Sequence, residues 1–333
     1  MSRCTRERHL EAGGWRLTSE YDDEADGPRG KAVLMPVWDK PDPYFEVPDK
    51  LKRIVPPRKN PWRIAPDDKR VPTHKLARTR NCLVTVHPEA IAIGSPYGRN
   101  RKGLGWLGAI LMFMFSLVLW YFALQSINSY YEDFFGFFVS SVGAVVVLLV
   151  SIWFFNFTVR MPSDWPVLFN RKDRTVTFIR PTRPKFFKFW EFTESGAFTY
   201  PWDELKVRTY KLLVSNAGKS FHDSYWMVLF WGELDEHGQK TVKDCVPIGY
   251  EGYFEDERLL QVWEHVRRYM EEGGPPIQPG ERLRKPINDR KPMAFPPEVI
   301  AAAGGPALSI AEVERLAGTE LEMRQEASPA EST

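Results

Sequence analysis

Two stretches of this 333-residue chain contain no charge. No Lys, Arg, Asp or Glu occurs from Gly103 to Tyr131, and none from Phe134 to Val159. A proton relay or ion pathway through a membrane needs ionisable side chains at depth, so their absence argues against transport. Cysteine is equally sparse. Cys4, Cys82 and Cys245 form no CxxC pair, which excludes a disulfide scaffold and fits reduced thiols in a cytoplasmic setting. The first fourteen residues (MSRCTRERHLEAGG) have no apolar core, so no cleavable signal is expected and the first apolar run acts as an internal anchor.

Motifs that carry chemistry are missing too. The six histidines (His9, His74, His87, His222, His237, His265) show no HxH or HxxxH spacing, so a zinc site has no support. There is no P-loop, no GxGxxG and no nucleophile elbow. Ser95 lies among glycines in Gly94–Gly98, but Pro96 follows it and the segment reads as a loop. The expectation is a non-enzymatic protein without metal or cofactor.

The two charge-free runs read as a transmembrane hairpin. The spans are 104–124 and 134–155, each near the ~20 residues that cross a bilayer, joined by a loop at 125–133. Trp106, Trp120, Tyr121, Tyr130, Tyr131, Trp153 and Phe155 lie near the span ends, as interfacial aromatics do. Arg99, Arg101 and Lys102 precede the first span, and Arg160, Arg171, Lys172 and Arg174 follow the second. The loop holds only Glu132 and Asp133. By the positive-inside rule these seven bases mark the cytoplasmic membrane surface, with both termini inside and the loop outside. Gly105 and Ala109 in the first span, and Gly136, Ser140 and Ala144 in the second, repeat small residues at four-residue spacing and predict close helix packing. The short loop favours packing of the two spans on each other over packing between protomers.

Residues 1–80 read as a Pro-rich basic arm, extended or disordered, although Trp38, Tyr44, Phe45 and Trp62 are costly to expose and are expected to lay parts of it on a folded surface. Ten prolines fall in the arm, and eleven bases against Asp67 and Asp68 lie between Lys50 and Arg80. That basic run fits either a solvated arm or attraction to anionic lipid. Within 81–103, Cys82–Gly94 predicts a β-hairpin turning at His87-Pro88-Glu89, with His87 at the surface. Residues 162–272 predict a β-rich domain. Its strands are expected at 167–169, 175–179, 205–214, 225–234 and 241–248, with further aromatic-rich pieces at 185–192 and 197–200. The segment 225–234 is apolar on both faces and should be central. Leu259, Leu260, Trp263, Val266, Tyr269 and Met270 then form one helical stripe within a closing amphipathic helix, 256–272. Glu264, Glu271 and Glu272 read as its solvated face. Lys185, Lys188, Lys206, Arg208 and Lys211 alternate with aromatic or apolar residues and read as outward positions on half-buried strands, a possible surface for a protein partner or lipid headgroups rather than nucleic acid. Residues 273–333 read as a Pro-rich linker, a short helix at 309–317 capped by Ser309 with Glu312 and carrying an Ile310–Val313–Leu316 stripe, and a disordered tail from 326.

The order of strands followed by one helix resembles pleckstrin-homology-like domains. That resemblance implies an α+β membrane protein in which 83–94 is the first hairpin of the later sheet and the transmembrane hairpin is an insertion. FNRKDRTV at 169–176 directly after the spans, followed by PWDEL at 201–205, resembles a family of proteobacterial two-span membrane proteins of unknown function (domain of unknown function 6708). Members are often encoded near type VI secretion effectors. The resemblance implies a bacterial inner-membrane location and an immunity or accessory role, with a toxin or secretion component as partner beside the membrane lipids. A lipid- or membrane-state sensor is the alternative.

Overall fold

The computed structural model describes residues 32–38, 40–42, 60–95, 101–128, 134–160, 165–180, 196–215, 221–234, 240–253, 256–285 and 293–326. In chain order the first elements are β1 (Arg63–Ile64), β2 (Leu83–Val86), β3 (Ala90–Ile93) and two long helices, α1 (Arg101–Asn128) and α2 (Phe134–Arg160). Strands β4 (Val167–Asn170), β5 (Thr175–Phe178), β6 (Phe198–Pro201), β7 (Lys206–Ser215), β8 (Phe221–Leu234) and β9 (Lys240–Tyr253) follow. Helices α3 (Asp256–Glu271), α4 (Pro297–Ala302) and α5 (Ile310–Glu326) complete the described part.

The strands form two antiparallel sheets, β2-β3-β4-β5-β6 and β1-β7-β8-β9. In the first, Ile93 pairs with Val167 and Ala90 with Asn170, so β3 and β4 are neighbours although both long helices lie between them. The helical hairpin is therefore the β3–β4 connection. Every residue of β3 is buried. Ile91 and Ile93 face the main core, while Ala90 and Ala92 face a second cluster with Trp165, Leu168, Met293 and Phe295. A sheet covered on both faces needs apolar residues at successive positions, which explains the AIAI sequence.

Strand β8 is central in the second sheet, and Met227 to Trp231 are almost completely buried. Met227, Leu229 and Trp231 join the main core. Val228 and Phe230 form a separate cluster with Tyr210, Val242 and Cys245 on the opposite face. The stripe of α3 enters the main core as its spacing predicts, with the Trp263 ring 5.5 Å from that of Trp202.

Helices α1 and α2 are both long and apolar enough to cross a membrane, over Gly105–Ser126 and Phe134–Asn156. They run antiparallel along a seam of small residues. Ala109, Ser116 and Ala123 are buried on α1, and Ala144, Ser151 and Thr158 on α2. Each set recurs every seven residues, the period of a shallow left-handed crossing. Ser116 Oγ donates to the Ala144 carbonyl at 2.9 Å, and Ser151 Oγ donates to the Ala109 carbonyl at 2.8 Å. A Cβ at Gly105 would stand 2.1 Å from Thr158 Oγ1, so glycine there sets how closely the helices approach. The four-residue row expected on α2 is only partly in this seam. Ala144 is fully buried, but Gly136 and Ser140 are only half-buried as the row winds away from α1.

Two segments read as arm and linker are packed parts of the fold where they are described. Met35 and Ala65 belong to the main core, and Trp62 packs against it. At the other end, Ile277 enters the main core and Phe295 the second cluster. The amides of Arg284 and Leu308 donate to the carbonyls of Leu83 and Val86, so the free edge of β2 is covered. Helix α5 opens on the expected cap: Ser309 Oγ and the Ser309 amide both donate to Glu312 Oε2, at 2.7 and 2.8 Å. Its buried positions are Val313 and Ala317; Ile310 and Leu316 of the expected stripe are exposed. The tail after Glu326 lies outside the described residues, as do the aromatic-rich piece at 185–192 and most of the 125–133 loop.

Candidate functional surface

Helix α3 does more than fill the core. Glu264, expected on its solvated face, is completely buried. Its carboxylate accepts hydrogen bonds from the amide and hydroxyl of Thr73 at 3.0 and 3.1 Å, from Arg267 at 2.7 and 2.9 Å, and from Arg268 at 2.7 Å. Arg267 also donates to the carbonyl of Lys69, and Arg268 to that of Lys75. Burial pushes the Glu264 carboxyl up, but the Arg267 guanidinium, the Thr73 amide and Arg268 together outweigh it and hold it below the usual carboxylate range. His74, also fully buried, places Nε2 3.2 Å from Glu257 at the start of the same helix. Two acids and two arginines of α3 thus clamp residues 69–75 in one conformation.

The clamped segment carries a second one on its back. Leu34 N–H donates to the Thr73 carbonyl, and Lys75 N–H donates to the Ala32 carbonyl. Farther along, Trp62 and Arg63 both donate to Asp256, at 2.8 and 2.7 Å, and Arg63 also donates to the Met35 carbonyl. The outer side of this layer exposes Leu34, Val37, Val71 and Leu76, each between 38% and 47%. Arg70 and Lys75 are exposed along it, and Arg78 is half-buried. Four exposed apolar side chains on two segments joined by backbone hydrogen bonds, with Arg70 and Lys75 beside Val71 and Leu76 in sequence, make this layer (the ridge) the strongest candidate for an interaction surface among the described residues of the globular part.

Of the basic residues singled out in the sequence, those with described side chains lie elsewhere, and Arg171, Arg174, Lys206, Arg208 and Lys211 are each paired with an acid. Arg208, expected to point outward, is fully buried and donates to Asp42 at 2.7 Å. Two-residue alternation on β7 placed it on an outer face, but that face is covered, with Asp42 reaching Arg208 from the N-terminal part. Lys206 pairs with Asp67 at 2.7 Å, and Lys211 with Asp223 at 2.8 Å. Arg171, Lys172 and Arg174, expected at the membrane surface, form the β4–β5 turn. Because α2 feeds the other end of β4, that turn lies ~13 Å away along the strand, at about 3.3 Å per residue. Arg174 bonds Asp203 at 2.6 Å and Glu271 at 2.9 Å; Arg171 reaches Glu89 at 3.1 Å and covers the Tyr269 ring. Glu271, also expected in solvent, accepts from the Trp202 indole as well. Arg101 and Lys102 begin α1 and Arg160 ends α2. Arg99, Lys185 and Lys188 lie outside the described residues. His87, expected at the surface, is buried, with Nδ1 2.9 Å from the Gly305 carbonyl.

Among the described residues, no group of three or more His, Cys, Asp or Glu could hold a metal ion. Burial pushes the Cys245 thiol up to about 12, despite Arg180 nearby, so it is no nucleophile at neutral pH.

These features define an α+β protein with two antiparallel sheets and two helices long and apolar enough to cross a membrane. Residues 144–296, from the middle of α2 to the strand-covering segment before α4, match a family of unknown function (DUF6708). That is the family which FNRKDRTV and PWDEL bring to mind, and both motifs lie within the match. No curated protein and no solved structure matches the chain.

Proposed function

We propose that this is a non-enzymatic integral inner-membrane protein whose cytoplasmic β domain binds a protein partner. The observation that carries the reading is the ridge of Leu34, Val37, Val71 and Leu76, exposed yet fixed in place by the Glu264 clamp. A partner meeting a preformed apolar surface loses little entropy in ordering it. The membrane placement is supported by α1 and α2. The pairing of β3 with β4 requires both helix ends to meet on one side, as a two-span hairpin provides. The cytoplasmic side is supported by the bases at 99–102 and 160 against an acidic loop. The strand order β2 to β9 followed by α3 supports a pleckstrin-homology-like domain with the helical hairpin inserted. The specific form of the reading is immunity or accessory service to a type VI secretion system, with a toxin or secretion component as partner. The resemblance to a family often encoded near such genes supports it. Lys206, Arg208 and Lys211 each pair with an aspartate, which weighs against lipid sensing by that face.

The test is recovery of the tagged full chain from membranes in mild detergent. A stoichiometric protein should accompany the wild type and be lost from a Leu34→Arg/Leu76→Arg variant that keeps the wild-type melting temperature. Recovery of the chain alone, or equal recovery by the variant, would overturn the proposal.

A further inference from the structure

The helical hairpin has a flank that the seam does not use. Trp106, Ile110 and Phe113 of α1 and Leu148, Ile152 and Phe155 of α2 line an apolar groove of about 280 Å³. Its floor is Ala109 and Ser151, the small residues of the seam, and the Ser151 hydroxyl is already committed to the Ala109 carbonyl. The groove therefore offers shape and apolar surface but no hydrogen bond. A cavity of ~150 Å³ holds a benzene ring, so this one accommodates a longer hydrocarbon segment.

Its position along the helices selects the ligand. The groove lies in the first half of α1 and the second half of α2, the halves joined to the sheet. Trp106 lies four residues beyond Lys102, and Phe155 five before Arg160. At ~1.5 Å of rise per residue, the backbone positions of Lys102 and Arg160 lie about 6–8 Å farther along the helix axes, on the side where a headgroup phosphate sits relative to its acyl chain. We infer that this flank is a binding site for one acyl chain of an anionic phospholipid from the leaflet facing the globular domain. The hydrocarbon lies between the aromatic walls, and the basic helix ends hold the phosphate. The site is separate from the protein-binding ridge.

The full-length protein in mild detergent, delipidated and titrated with phosphatidylglycerol or phosphatidylcholine, tests this by native mass spectrometry. One phosphatidylglycerol per chain should be retained, favoured over phosphatidylcholine roughly tenfold, as two or more bases near a headgroup imply. Ile110→Trp or Leu148→Trp fills the groove from either helix and should abolish retention of both lipids. Arg101→Gln/Lys102→Gln should leave retention intact and remove the headgroup preference. Retention by both tryptophan variants at the wild-type level, or equal retention of the two lipids by the wild type, would overturn the site. A lipid-free dimer that Ile110→Trp dissociates would overturn it in favour of a second copy of the chain. If a tryptophan variant fails to fold, the charge variant still decides through the headgroup ratio.

Discussion

The helical hairpin and the globular part solve the same packing problem with opposite materials. In the hairpin the seam is Ala, Ser, Gly and Thr; the Ser116 and Ser151 hydroxyls donate to carbonyls of the facing helix, and that of Thr158 to the Phe154 carbonyl of its own. In the globular part the core is built from Trp165, Trp202, Trp231 and Trp263, with Arg208, Glu264 and Arg267 buried among apolar neighbours. The difference is the one that the proposed membrane placement of the hairpin calls for. Burying a large side chain gains nothing from surroundings already as apolar as leucine, so contact in a bilayer comes from backbones brought close by small residues. In water, large apolar groups supply the driving force, and a buried charge is tolerated only with its partners in place.

The largest expected effect lies in the globular part. Glu264→Ala leaves the Arg267 guanidinium buried without its main partner, and loss of one member of a buried ion pair costs ~3–5 kcal/mol. Thermal unfolding in detergent should shift steeply, with proteolysis first appearing in residues 60–80. Unchanged unfolding would mean the clamp is not structural.

Next comes acid. Burial in α3 pushes the His265 imidazole down to about 4, so it is neutral in the fold. The unfolded chain takes up that proton below a pKa of ~6.5, so its contribution is complete above that pH and drains away down to the folded value, on the order of 3 kcal/mol in all. Stability measured between pH 7 and 4 should fall, and His265→Gln should flatten that part of the slope. An unaltered slope would assign it to other groups.

The hairpin should respond to size rather than charge. Ala144→Leu puts three extra carbons into a fully buried seam position and should cost ~1–3 kcal/mol, read as loss of cross-linking between cysteines placed on α1 and α2. The smallest effects belong to Ser116→Ala and Ser151→Ala. Hydrogen bonds between membrane helices average ~0.6 kcal/mol, so each variant should shift stability in detergent by little more than the error, and the pair by about twice that. A cost of several kcal/mol would show that the hairpin depends on polar bonds as the globular part does.

How much was legible in the sequence follows the same division. The hairpin is readable because absence of charge over more than twenty residues is a local signal. Strand β8 is readable because burial on both faces leaves an unbroken apolar run, and Ser309 with Glu312 because a cap is completed within one turn. The seam is legible only in part: Gly105, Ala109 and Ala144 lie in it, but small residues occur at both four- and seven-residue spacings, and only the crossing of the two helices selects between them. The clamp was invisible for another reason. Thr73 and Glu264 are 191 residues apart, and the segment bearing Thr73 has neither helical nor strand period. Its prolines speak for lack of regular structure, which is correct, but irregular backbone still packs when side chains from elsewhere satisfy it. The arm's aromatics, Trp62 among them, are the local hint, since such rings are costly to leave in water.

The pairing of Ile93 with Val167 also sets a timetable. The ribosome delivers β3 well before β4, and at ~5–20 residues per second the delay across the helical hairpin is roughly 4–15 s. During that time Ala90–Ile93, apolar on both sides, has β2 as its neighbour but not β4. On the proposed membrane placement, β4 can pair with β3 only after both helices have been inserted and the chain has come back to the side of β3.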